Sequence, residues 1–158
     1  SGRRKSPFSK RSMYRIELAN EQDRLELDES RLRGAVERVL AGESVPKATV
    51  SLAIVDDPTI RELNRIYLGH DEATDVLSFA LGSAPGDCDG EVIVSADTAA
   101  AAAGRFGWSA ADELLLYVVH GTLHLVGYDD TNAAAQAKMR AREQVYLAEF
   151  GLHPRYDG

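Results

Sequence analysis

The segment Ser109-Ala110-Ala111-Asp112-Glu113-Leu114-Leu115-Leu116-Tyr117-Val118-Val119-His120-Gly121-Thr122-Leu123-His124-Leu125-Val126-Gly127-Tyr128-Asp129-Asp130 decides how this chain folds. Leu114, Leu115, Leu116, Val118, Val119, Leu123 and Leu125 leave no continuous polar stripe on a helix through this stretch. A helix apolar on every side must be surrounded by other elements, so the segment predicts the buried central helix of a layered domain. Ser109 with Asp112 supplies an N-terminal capping signal, and Gly127 supplies a stop after about Val126.

Outward from that helix the chain alternates strand and helix patterns. Tyr14 to Leu18 alternates apolar and polar residues as a half-buried strand does, and Asp28 precedes a helical pattern through Leu32, Val36, Val39 and Leu40 that Gly42 and Pro46 end. Ala48 to Val55 predicts a second strand. Asp56-Asp57-Pro58 then opens a helix bearing Ile60, Leu63 and Tyr67, which Gly69 closes. Val76 to Ala80 and Glu91 to Ala96 predict two further strands joined by a loop from Gly82 to Gly90. A helix from Asp97 to Arg105 comes next, and Phe106 and Trp108 anchor the start of the central helix. Thr131 or Asn132 caps a last helix, Ala133 to Phe150. The expected fold class is α+β: a small mixed four-stranded sheet packed with about five helices, with strand order left open.

The 158 residues suit one domain, taken as 13–158, preceded by a basic flexible tail at 1–12. That tail carries Arg3, Arg4, Lys5, Lys10 and Arg11 without the apolar core of a secretory signal. Without those five basic residues the formal charge of −7 falls to about −12, a poor electrostatic footprint for non-specific nucleic-acid binding. Any RNA contact is therefore expected to be local. Cys88 is the only cysteine, which excludes an internal disulfide framework and a zinc site built from several thiolates, and makes a reducing compartment the simpler expectation. No run reaches the roughly 20 apolar residues of a membrane span, so a soluble, cytoplasmic protein is expected.

His120 and His124 are four residues apart, which on a helix means about 6 Å of rise and about 40° of rotation, a spacing that lets two imidazoles converge on one ion. Gly127 lets the chain turn back sharply, so that Asp129 or Asp130 can supply a third ligand. The plainer reading is two histidines whose ring nitrogens are satisfied by neighbours. A metal answers better to two imidazoles in so apolar a helix, since it satisfies one nitrogen on each. Two imidazoles and a carboxylate leave a coordination position open, as in catalytic rather than structural zinc sites, which makes hydrolysis the expected reaction class. Gly121 stands where metalloproteases carry a glutamate base, so peptide hydrolysis is disfavoured. Asp87-Cys88-Asp89-Gly90-Glu91 lacks the ligand series of a calcium loop.

The segment from His120 to Asp130 resembles the signature of the YbeY endoribonucleases, His-Gly-x-Leu-His-Leu-x-Gly-Tyr-Asp-His, in all but its last residue. Thr74-Asp75-Val76-Leu77-Ser78-Phe79 and Gly90-Glu91-Val92-Ile93-Val94-Ser95 extend the resemblance, which covers roughly Met13 to Gly151. It implies zinc bound by His120 and His124, with Asp130 where the family has its third histidine and Asp129 supporting the turn. It also implies a single-strand-specific endoribonuclease acting in ribosomal RNA maturation and ribosome quality control, with RNA and the ribosome as partners. Where that family carries an arginine used in RNA cleavage, this chain has Leu68, so Arg65, one helical turn back, and His70, beyond Gly69, are the candidate cations. A solvated helix face and a loop histidine are their plainer readings. Two other functions stay open on sequence: a metal-dependent hydrolase of another substrate, and a non-catalytic ribosome-associated protein whose metal braces the fold.

Overall fold

In the computed structural model, residues 13–82, 87–104 and 107–154 are described. The expected tail at 1–12 and Phe106 lie outside them. The alternation at Tyr14 becomes strand β1, Tyr14–Asn20, followed by helix α1, Glu29–Gly42, strand β2, Lys47–Val55, and helix α2, Asp57–Leu68. Strands β3, Val76–Ala80, and β4, Asp87–Ser95, precede helices α3, Ala96–Ala101, α4, Ala110–Leu125, and α5, Ala133–Ala148. The sheet has the order β1-β2-β4-β3. β1 and β4 both run parallel to β2, and β3 pairs antiparallel with β4. The α+β class with a mixed four-stranded sheet and five helices matches the sequence reading.

Local chemistry accounts for the helix starts. Asp28 and Asp56 each accept a hydrogen bond from the backbone N–H three residues on, at Arg31 and Thr59, which satisfies a donor the helix itself leaves unpaired. Ser109 and Asp112 exchange the two bonds of a capping box at the start of α4. Trp108 is half-buried there, its Nε1–H donating to Glu113 Oε1 at 2.9 Å, so the expected aromatic anchor is present.

Two boundaries differ from the sequence reading by four residues. β4 begins at Asp87 instead of Glu91, because Lys47 to Val50 of β2 hold Asp87 to Gly90 in parallel register; backbone pairing outweighs the turn-forming composition of that stretch. α3 ends at Ala101 instead of continuing to Arg105. Alanine raises helix propensity, but six residues are too few for a stable helix without packing, and only Ala96 and Ala99 are buried.

Successive side chains of β4 point to opposite faces. Val92 and Val94 join the main core with α1, α4 and α5, whereas Ile93 packs with Val55, Leu77 and with Ile60 of α2. The sheet therefore lies between α2 on one side and α1, α4 and α5 on the other. Leu114, Leu115 and Leu123 of α4 are at most 1% exposed, each burial contributing about 1.5–3 kcal/mol. That enclosure makes α4 a rigid platform for whatever its half-buried histidines do. Gly121 is what lets α4 come so close to the sheet. A Cβ there would stand 2.6 Å from Val92 Cγ1 and 2.9 Å from Val76 Cγ2, and the Ser78 hydroxyl donates to the Gly121 carbonyl at 2.9 Å.

Candidate metal centre

His120 and His124 leave α4 on the same side, their ring centroids 4.8 Å apart and nearly perpendicular. α4 ends at the Val126 cap, and Gly127 takes φ 110°, a left-handed value that suits glycine and turns the chain out of the helix axis. The turn brings Asp130 back over the helix. One carboxylate oxygen lies 3.6 Å from His120 Nε2 and the other 3.9 Å from His124 Nε2. Three candidate ligand atoms, one from each residue, lie within 4.8 Å of one another. Asp129 instead accepts hydrogen bonds from the Thr131 N–H and hydroxyl at 3.2 and 3.1 Å, so of the two acids left open by the spacing it is Asp130 that faces the imidazoles.

A residue the sequence reading missed completes this arrangement. Glu143 of α5 is 3% exposed, and its Oε2 lies 2.5 Å from His120 Nδ1. With Nδ1 donating to that carboxylate, Nε2 is left as the lone-pair nitrogen facing Asp130, the orientation a metal-ligating histidine needs. The donor set therefore fits a divalent ion: two imidazole nitrogens and a carboxylate oxygen, with one ring oriented from behind. A signal for Glu143 existed in the sequence. Met139, Glu143, Tyr146 and Leu147 share the buried face of α5, and an acid at i+4 on an apolar face requires a partner.

Burial pushes the His120 pKa down, but the hydrogen bond and charge of Glu143, with the charges of Asp75 and Asp130, leave it above the ordinary value. His124 is shifted the other way, by burial and by the charge of His120, against the opposing effect of Asp130. The two rings are thus electrostatically distinct, with His124 the one held neutral to lower pH. Asp75, in the loop before β3, enters through its effect on His120 and had no assigned role in the sequence.

The two candidate cations are both exposed. Arg65, on the exposed side of α2, donates through Nε and Nη2 to Glu62 at 3.1 and 2.5 Å. His70 is exposed just past α2, its N–H donating to the Asn64 carbonyl at 3.3 Å. Leu68 is 52% exposed.

A second polar cluster lies beside the centre. Glu43, the C-cap of α1, accepts from the Tyr128 hydroxyl at 2.8 Å through Oε1. Its Oε2 accepts from Arg142 Nε and Nη2 at 2.9 and 2.7 Å and from the Tyr146 hydroxyl. Burial pushes the Glu43 carboxyl up, but the hydrogen bonds from Tyr146, Tyr128 and Arg142 and the Arg142 charge outweigh it, holding the pKa below the usual carboxylate range. A depressed carboxylate contributes stability that is fully present above its usual range and is lost as pH falls through the depressed value. The thermal midpoint of the wild type is therefore expected to fall more steeply, as pH drops below the ordinary glutamate value of 4.5, than that of Glu43→Gln. Parallel slopes in the two melting series would refute this.

A family model described as Endoribonuclease YbeY matches residues 17–151. The chain belongs to the YbeY endoribonuclease family. Its relatives include the Endoribonuclease YbeY of Salinibacter ruber, 43% identical over 84% of this chain and 89% of the relative. That of Moorella thermoacetica is 45% identical over 78% of this chain and 86% of the relative. The solution structure of TM1509 from Thermotoga maritima is similar with a TM-score of 0.56 and 26% identity, covering 92% of this chain and 97% of that one. The family match thus spans nearly the whole stretch, roughly Met13 to Gly151, over which the resemblance was read. No helix among them is long and apolar enough to cross a membrane.

Proposed function

We propose that the protein is a zinc-dependent, single-strand-specific endoribonuclease acting in ribosomal RNA maturation and ribosome quality control in the cytoplasm, with residues 13–158 forming one metal-hydrolase-like domain. The observation that carries this reading is the convergence of His120, His124 and Asp130, with Glu143 behind His120, in a chain of the YbeY family. His120 and His124 through ring nitrogens and Asp130 through its carboxylate would hold the ion. A divalent ion held there would supply Lewis-acid polarisation of a phosphoryl oxygen and acidify water. Glu143 keeps the His120 ring in one tautomer and one orientation, so the ligand set needs no rearrangement when substrate arrives.

The body of the chain is acidic, so the polyanionic substrate needs a local cation to offset developing phosphate charge. Arg65 and His70 are the proposed candidates, and Arg65 must exchange Glu62 for a phosphate oxygen to act. That ion pair, with Leu68 at the position of the family arginine, favours one second reading: a metal-dependent hydrolase whose substrate is not RNA. Incubating single- and double-stranded RNA of one sequence with protein stripped of zinc, then restored, separates the two. The expected result is cleavage of the single strand alone, and only after restoration. Activity unchanged by chelation would end the metal mechanism, while zinc-dependent turnover of small phosphoesters with intact RNA would favour the second reading.

A further inference from the structure

Asp130 sits on a segment without regular secondary structure, and its side chain is 42% exposed. A ligand so placed holds its position only if the backbone on both sides is anchored. On the C-terminal side the anchor is local, the bonds from Thr131 to Asp129. On the N-terminal side the Tyr128 hydroxyl reaches across to Glu43, a residue 85 positions earlier in the chain. Glu43 is itself gripped by Arg142 and Tyr146 of α5. Burial and the bond to Glu43 push the Tyr146 pKa up to about 12, so that phenol remains a donor throughout the neutral range. Arg142 and Glu143 are consecutive residues of α5, about 100° apart around the helix. One grips Glu43 and the other the His120 ring, so a single helix braces two of the three candidate ligands from two directions.

We infer that the Tyr128–Glu43–Arg142–Tyr146 cluster is the positioning device for Asp130: it holds the turn after α4 so that the carboxylate faces the two imidazoles before any ion arrives. Tyr128, Glu43 and Arg142 are positioning residues whose side chains act through the turn that carries Asp130, a turn whose Tyr128 backbone also bonds the His124 ring. The backbone of the preceding turn does not depend on the hydroxyl, since Tyr128 N–H bonds to Leu123 and Gly127 N–H to His124 as α4 ends. Deleting the hydroxyl alone therefore loosens Asp130 and leaves α4 intact. After the deletion Glu43 keeps Arg142 and Tyr146, so no carboxylate is stranded.

This inference rests on the metal reading, and the test separates the failure of each. Zn2+ affinity is measured by competition with a chelating dye for wild type, Tyr128→Phe, Asp130→Ala and the double variant, with circular dichroism and thermal melting confirming the fold. Tyr128→Phe is expected to weaken Zn2+ binding about tenfold, the lower end of the cost of removing outer-shell partners. Added to Asp130→Ala it is expected to cost much less than in the wild-type background, because the carboxylate it positions is gone. Wild-type affinity in Tyr128→Phe, or the same loss persisting in the Asp130→Ala background, would overturn the positioning role while leaving the metal site standing. Equal Zn2+ affinity in wild type and Asp130→Ala would overturn both.

Discussion

Replacing His124 with alanine is expected to weaken Zn2+ binding by more than about a hundredfold, beyond the ten- to hundredfold cost of removing an outer-shell partner, and to leave RNA cleavage at the level of chelated wild type. The imidazole is half-buried on a helix whose surroundings are packed, so no neighbouring side chain can slide into its place. His120 and Asp130 would then be the remaining donors, too few for a stable four-coordinate site. Because the ring is held neutral by burial and by the His120 charge, its removal from the metal-free protein strands no ion partner, and the apo fold is expected to survive. Dye competition reads the affinity, and gel analysis of a labelled single-stranded RNA reads the cleavage. His124→Ala that cleaves like wild type would show that cleavage does not pass through this centre.

Glu143→Gln tests the support behind the ligands. Glutamine keeps the size and one acceptor oxygen but removes the charge that orients and polarises the His120 ring. Zn2+ affinity is expected to drop about ten- to hundredfold, while the thermal midpoint measured without metal changes little, since a buried charge is also relieved. Glu143→Ala is expected to lower that midpoint as well, because it opens a cavity and leaves His120 Nδ1 without its acceptor. The contrast carries the argument. If Glu143→Gln binds Zn2+ as tightly as wild type, Glu143 is a core residue that happens to touch an imidazole.

Much of this molecule is legible in short windows of sequence. The Asp28, Asp56 and Ser109 caps were readable because a capping side chain bonds a backbone N–H only three residues away. The all-round apolar character of α4 was readable because its buried residues run nearly without a break from Glu113 to Leu123. The same holds for the metal candidates: the rise and rotation of a helix are local quantities, so His120 and His124 declared their common face directly.

Apart from the early end of α3, the errors fall where distant chain segments meet. The start of β4 depends on β2, forty residues earlier at Lys47↔Asp87, and no window around Asp87 contains that partner. Glu143 is 23 positions from His120, and Glu43 is 85 from Tyr128.

Sequence alone determined where the helices start, their caps, the two imidazoles on one face and the glycine that lets the chain turn back, because each is governed by torsions and hydrogen bonds among near neighbours. Tertiary structure alone decided the strand order and the carboxylates behind the site, and it placed Asp130, which helix spacing had not separated from Asp129 and the family resemblance had implied, against the two imidazoles. Those outcomes depend on which remote elements share a core, and packing settles that only once the whole chain has collapsed.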